Sequence, residues 1–234
     1  MRTSRRLADL SWTDARDLAL SGALLAIPLG ATEQHGPHLP LSTDTDVAVA
    51  LCDELAETRS DVVVAPAVSY GSSGSHVGFA GTLSISEAAI ELLVTELGRS
   101  ACRTFGHVLF VSAHGGNAAA IDRAVRRLCA ESWDARVFTP RWVDDSHAGH
   151  TETALMLAIR PLSVRMHRAV ACSAEPVGAS RGELRCAGGF PAVSETGILG
   201  DPVGATGLHG NLLLDCLFTE LTMDVAQWRG ERAA

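Results

Sequence analysis

The chain has 234 residues, 47% hydrophobic and 20% charged. That profile supplies one sizeable core and excludes a disordered, collagen-like or coiled-coil protein. Nineteen basic residues against 27 acidic ones give a net charge of −8, and every basic residue is arginine. The absence of lysine removes Schiff-base, pyridoxal and Walker chemistry, and the absence of a basic block makes nucleic acid a poor partner.

At the start, Met1 to Arg6 lead into Leu7-Ala8-Asp9-Leu10, which is no signal-peptide core, and no apolar run nears the ~18 residues of a membrane span. The expectation is a cytoplasmic protein with no membrane partner. Residues 23–29 are a continuous apolar run ending at Gly30, which predicts a buried strand. Residues 45–58 predict a helix with Val47, Ala50, Leu51 and Leu55 on one face, and residues 62–68 a second buried strand. A Gly/Ser loop follows from Tyr70 to Gly78. Ser86 and Glu87 open a helix carrying Ile90, Leu93, Val94 and Leu97. His107–Ser112 is the third strand, Asn117–Glu131 a helix and Ala135–Thr139 the fourth strand. Residues 175–205 are rich in Gly and Pro and show no regular period. A last helix, about 207–228, repeats apolar residues at 214, 217, 218, 221 and 225 and is expected to pack on the sheet. The alternation predicts an α/β fold, a single domain over 1–234, with a central, mostly parallel sheet flanked by helices. Ligands of such sheets bind beyond the carboxyl ends of the strands. The six cysteines form no CxxC pair and read as reduced, mostly buried thiols.

Imidazoles and carboxylates gather just after the strands. The first is followed by Gly30-Ala31-Thr32-Glu33-Gln34-His35-Gly36-Pro37-His38, with Asp44 and Asp46 at the next helix. The third is followed by His114-Gly115-Gly116-Asn117. The fourth is followed by Asp144-Asp145-Ser146-His147-Ala148-Gly149-His150-Thr151-Glu152. Mixed N and O donors suit borderline or hard divalent metals. Glu33 and His35, two apart in extended chain, point to one side, and Asp44 can bridge two ions, although it also fits a helix N-cap. His38 and His150 are open between ligand and structural roles. His76, His107, His167 and His209 read as structural or surface residues. Nucleophile alternatives are weak: Gly71-Ser72-Ser73-Gly74-Ser75 leads into no helix, and no GxGxxG follows a strand.

These residues resemble the creatininase family of binuclear metal amidohydrolases over about residues 7–228. The motifs are Pro28 to Pro40 with Asp44, Phe79-Ala80-Gly81-Thr82, His114 to Asn117, His147-Ala148-Gly149 with Glu152-Thr153, and Gly200-Asp201-Pro202. The resemblance implies two divalent ions per subunit, Zn(II), Fe(II) or Mn(II), and hydrolysis of a C–N amide bond. Glu33, Asp44 and His114 would hold one ion. His35 and Asp44 would hold the other. His147 would be the catalytic acid/base. Creatininase carries a carboxylate two residues after its counterpart of His114; this chain has Gly116 there, and Glu152 is the expected substitute, with His150 a weaker one. The resemblance further implies a closed homo-oligomer. Within the family the chain is most like members that remove a C-terminal Val-Tyr dipeptide from a small ribosomal peptide. A small amide or lactam is the alternative substrate, and a non-catalytic metal-dependent binding protein the least favoured. Arg123, Arg141 and Arg181 have the chemistry to meet a peptide carboxylate.

Overall fold

The computed structural model describes residues 5–141, 147–171 and 189–230. Four parallel strands, β1 (Leu24–Leu29), β2 (Val62–Val64), β3 (His107–Ser112) and β4 (Asp134–Phe138), stand in the order β2-β1-β3-β4. All six residues of β1 are buried because both faces of the sheet are covered. Successive side chains alternate between the faces. Leu25, Ile27, Val108 and Phe110 point toward α1 (Trp12–Leu20), α3 (Glu87–Phe105) and α4 (Ala118–Ala130). Leu24, Ala26, Leu109 and Val111 point toward α2 (Thr43–Thr58), α5 (His150–Ile159) and the last helix, α7 (Gly207–Trp228). Among the described residues, no helix is long and apolar enough to cross a membrane.

Local chemistry sets the boundaries. Ser86 accepts the Ala89 N–H and starts α3, which ends at Gly106 with φ +74°. Thr206 accepts the His209 N–H and starts α7. The second strand stops at Val64, short of the expected residue 68, because Pro66 has no N–H to donate. The chain rejoins the sheet at Val68, whose N–H bonds the Pro28 carbonyl at 2.9 Å.

Three helices were not expected. α1 has no buried residue and so little apolar period to read. The apolar stretch of α5, Ala154 to Ile159, is continuous rather than periodic. The last helix lies along α5 and α2, shares the core under that face of the sheet, and is tied to β4 at the edge. There Arg136 pairs with Asp224, and Trp228 Nε1 donates to Asp134 at 2.8 Å. A short helix α6 (Phe190–Val193) falls within the stretch that showed no period. Of the described cysteines, Cys52 and Cys102 are buried, Cys129 and Cys216 are exposed, and all four are free. Cys172 and Cys186 lie outside the described residues.

Candidate metal centre

The carboxyl ends of β1 and β3 and the start of α5 bring Glu33, His35, Asp44, His114, His147 and Glu152 together. Their donor atoms form three overlapping groups: Glu33, Asp44 and His114; His35, Asp44 and Glu152; and Glu33, His35 and His147. Within each group the atoms lie within 4.8 Å of one another. Asp44 joins the first two. It is not an N-cap: Ser42 holds that position, and Asp44 turns inward from the first turn of α2. Glu33, His35, Asp44, His114 and His147 are buried, and Glu152 is half-buried.

Each imidazole of this set commits one ring nitrogen to a backbone carbonyl. His35 Nδ1 lies 3.3 Å from the Glu33 carbonyl, His114 Nε2 3.1 Å from the Ser72 carbonyl and His147 Nε2 2.9 Å from the Gln34 carbonyl. A carbonyl only accepts, so that nitrogen carries a hydrogen, and the other nitrogen is the one whose lone pair an ion or a second proton can take. Carbonyl-oriented histidines of this kind are the usual outer shell of metal sites. These second nitrogens of two of them meet carboxylates: His35 Nε2 is 3.2 Å from Asp44 Oδ1 and 3.8 Å from Glu152 Oε2, and His114 Nδ1 is 2.9 Å from Asp44 Oδ2.

Such a cluster is short of a cation. Glu33 Oε2 and Asp44 Oδ2 are buried and receive no aligned hydrogen bond, although His114 lies 3.4 and 2.9 Å away. Buried orphan acceptors cost about 1–3 kcal/mol each, more when charged. The ring protonations tell the same story. Burial pulls His35 down, but Asp44, Glu152 and Glu33 outweigh it and raise its pKa to about 10. His114 rises in the same way against its burial, driven by Glu33 and Asp44. Burial raises Glu33, while His35 and His114 hold Asp44 well below the usual carboxylate range against its own burial. Without an ion, protons on imidazoles supply the positive charge that a divalent cation brings. The donor set therefore fits the implied metals.

Burial, with His35 and His76 adding to it, lowers His147 well below the ordinary histidine range, so the ring is neutral. Ala148 beside it has φ +53°, a left-handed conformation uncommon outside glycine. Its N–H donates to Glu152 Oε2 at 2.6 Å, which ties the carboxylate to the His147 turn. Asn117 staples three strand-end loops, donating to the Gly30 carbonyl at 3.0 Å and accepting the Ser72 N–H at 2.9 Å.

Gly116 has no room for the acid of creatininase. A Cβ there would stand 2.1 Å from the Ser72 carbonyl oxygen and 2.2 Å from His114 Nε2. Glu152 occupies the neighbourhood of His35 instead. His150 stands apart, its Nε2 3.0 Å from His209 Nδ1. His38 is buried behind the cluster with Nε2 2.8 Å from Thr153 Oγ1, and burial and then His35 lower its pKa to about 4. Arg123 is committed to Glu91 and Glu87, Arg141 is exposed just beyond β4, and Arg181, Asp144 and Asp145 lie outside the described residues.

One site residue escaped the sequence reading. His76 is buried, with Nε2 3.3 Å from Glu33 Oε1, its ring 4.6 Å from that of His147 and stacked at 4.0 Å on Phe190. The signal that exposed the other loops applies to it: the Gly/Ser loop follows a strand at the same edge of the sheet.

The sequence profile of the creatininase family, described as creatinine amidohydrolase, matches residues 8–225. The chain belongs to the creatininase family. It is 41% identical to the mycofactocin precursor peptide peptidase of Mycolicibacterium smegmatis, covering 95% of this chain and 92% of that one. Identity to the peptidase of the same name from Mycobacterium tuberculosis is 39%, with the same coverage. A creatinine amidohydrolase of Pseudomonas putida is 28% identical over 73% of this chain and 77% of its own. Among solved structures, a creatinine amidohydrolase (creatininase) superposes with a TM-score of 0.82 at 23% identity, covering 96% of this chain and 98% of the other. The fold expected of this family, a parallel sheet with helices on both faces, is the fold observed.

Proposed function

We propose that this creatininase-family hydrolase is a metal-dependent peptidase that removes the C-terminal dipeptide, Val-Tyr, from a mycofactocin-type precursor peptide. The observation that carries the reading is the joint one: near-full-length identity of about two residues in five to peptidases of that name, and a buried donor cluster with orphaned carboxylate oxygens. Support for a small lactam substrate is weaker, because the creatinine amidohydrolase relative is more distant and its acid position is Gly116 here.

In this reading Glu33, Asp44 and His114 would hold one ion, and His35, Asp44 and Glu152 the other. Zinc, iron(II) or manganese bound there would polarise the scissile carbonyl and activate the attacking water. The chain's own residues do the rest. His147, with its hydrogen on Nε2 held by the Gln34 carbonyl, takes a proton at Nδ1 and returns it to the leaving amine. The Ser72 and Glu33 carbonyls fix the His114 and His35 rings. Phe190, edge-on to His147 at 4.8 Å and stacked on His76, keeps bulk water from that side. A closed homo-oligomer in the cytoplasm belongs to the same proposal, and light scattering of the purified protein tests the assembly.

Mass spectrometry of the modified precursor peptide, incubated with protein and each metal in parallel, tests the activity. The expected result is release of Val-Tyr, abolished by chelator. An intact modified peptide with every metal overturns the reading and moves the choice to a small cyclic amide or formamide.

A further inference from the structure

Gln34 sits against the neighbouring rings of His76 and His147, whose centroids lie 4.6 Å apart, and its amide has only one orientation available. Its Oε1 accepts the Gly36 N–H at 2.9 Å, and its Nε2 lies 3.0 Å from the Gly197 carbonyl oxygen. Exchanging the two ends would set donor against donor and acceptor against acceptor. Gly197, at φ +77°, is bare where it passes: a Cβ there would be 1.9 Å from Gln34 Oε1. One amide hydrogen goes to Gly197. The other has two candidates, His76 Nδ1 at 3.0 Å and His147 Nε2 at 3.1 Å. His147 Nε2 already gives its own hydrogen to the Gln34 carbonyl at 2.9 Å, so it cannot accept. His76 Nδ1 takes the second amide hydrogen.

The consequence separates two neighbouring rings. His76 carries its hydrogen on Nε2, the nitrogen 3.3 Å from Glu33 Oε1. His147 carries its lone pair on Nδ1. The carboxylate is sorted in turn: Glu33 Oε1 faces the His76 N–H, and Glu33 Oε2 is the oxygen left without a donor. A histidine that presents N–H to a carboxylate cannot be a ligand beside it, whereas one that presents a lone pair can take up a proton.

We propose that Gln34 is a positioning residue. Through its side-chain amide it fixes His76 as a hydrogen-bond donor that turns Glu33 Oε2 toward the metal, and through its carbonyl it fixes His147 as the base with Nδ1 free. The metal half of this assignment rests on the ligand set proposed above; the tautomers rest on the hydrogen bonds alone.

The test is long-range 1H–15N spectroscopy of histidine-labelled, zinc-loaded protein, which reports which ring nitrogen lacks hydrogen. The expected result is a bare Nδ1 and a protonated Nε2 in His76. Gln34→Glu keeps an acceptor for Gly36 but offers His76 a carboxylate oxygen, so hydrogen should move to His76 Nδ1. A wild-type His76 with hydrogen on Nδ1, or a spectrum that Gln34→Glu leaves unchanged, overturns the proposal. If Gln34→Glu does not fold, zinc titration of two other variants decides. His76→Gln keeps an N–H near the Nε2 position and should retain most of the affinity, whereas His76→Ala should lose about 10–100-fold. Equal losses in the two would overturn it. Failure of the wild-type protein to cleave the precursor peptide would strike the proposed activity and leave this test standing.

Discussion

At the amino end of the sheet His107 Nδ1 lies 2.6 Å from Asp134 Oδ2, and Trp228 Nε1 holds the other oxygen of Asp134 at 2.8 Å. At the carboxyl end His35 Nε2 lies 3.2 Å from Asp44 Oδ1. The residue types are the same, and the environments are opposite. His107 and Asp134 are 36% and 47% exposed and both are satisfied, so the pair joins β3 to β4, with Trp228 of α7 on the other oxygen, and asks for nothing more. His35 and Asp44 are 0% and 4% exposed, pressed against Glu33, Glu152 and His114, and two carboxylate oxygens there lack a donor. A His–carboxylate pair is therefore no site in itself. Burial with incomplete satisfaction makes it one, because water cannot supply what the protein withholds.

The largest effect expected is at the shared carboxylate. Asp44→Ala should abolish both metal retention and amide hydrolysis, since both donor groups lose a member; retained turnover would show that the groups do not act together. Next is His147→Ala, which should keep its metal while turnover falls about 10²–10⁴-fold, the usual worth of a general acid–base group. Metal loss alongside activity would instead make His147 a ligand. Acidity should divide the two states of the site. In the ion-free protein, His35 titrates near 10 when folded and near 6.5 when unfolded, so its contribution to stability is complete below about 6.5 and disappears as pH rises through about 10. Melting temperatures of chelated protein should fall across that window. Saturating zinc should flatten the fall, because metal competes with the same protons and binds better as they leave. At the amino end, His107→Ala should cost no more than about 1 kcal/mol in denaturant unfolding and leave turnover unchanged, as befits an exposed pair. An effect on turnover there would break the contrast between the two ends.

Much of this was readable in the chain. The apolar runs of β1 and β3 announced buried strands, because strands covered on both faces need no polar side. The strand-end positions of Glu33, His35, His114 and His147 announced the cluster, because parallel sheets deliver their loops to one edge. The site's second tier was not readable. Gln34 and Asn117 act through orientation, and nothing in a one-dimensional pattern says which carbonyl an amide will meet. α5 was hidden for a related reason: Glu152 at its first turn and the apolar run after it serve the site and the core at once, which erases the helical period.

The most direct measurement of the central claim is the metal content of purified, reconstituted and desalted protein by plasma mass spectrometry, wild type beside Asp44→Asn. The account predicts two divalent ions per chain in the wild type and a clear loss in the variant. Wild-type protein that retains no ion after loading, or a variant that retains as many, would contradict it.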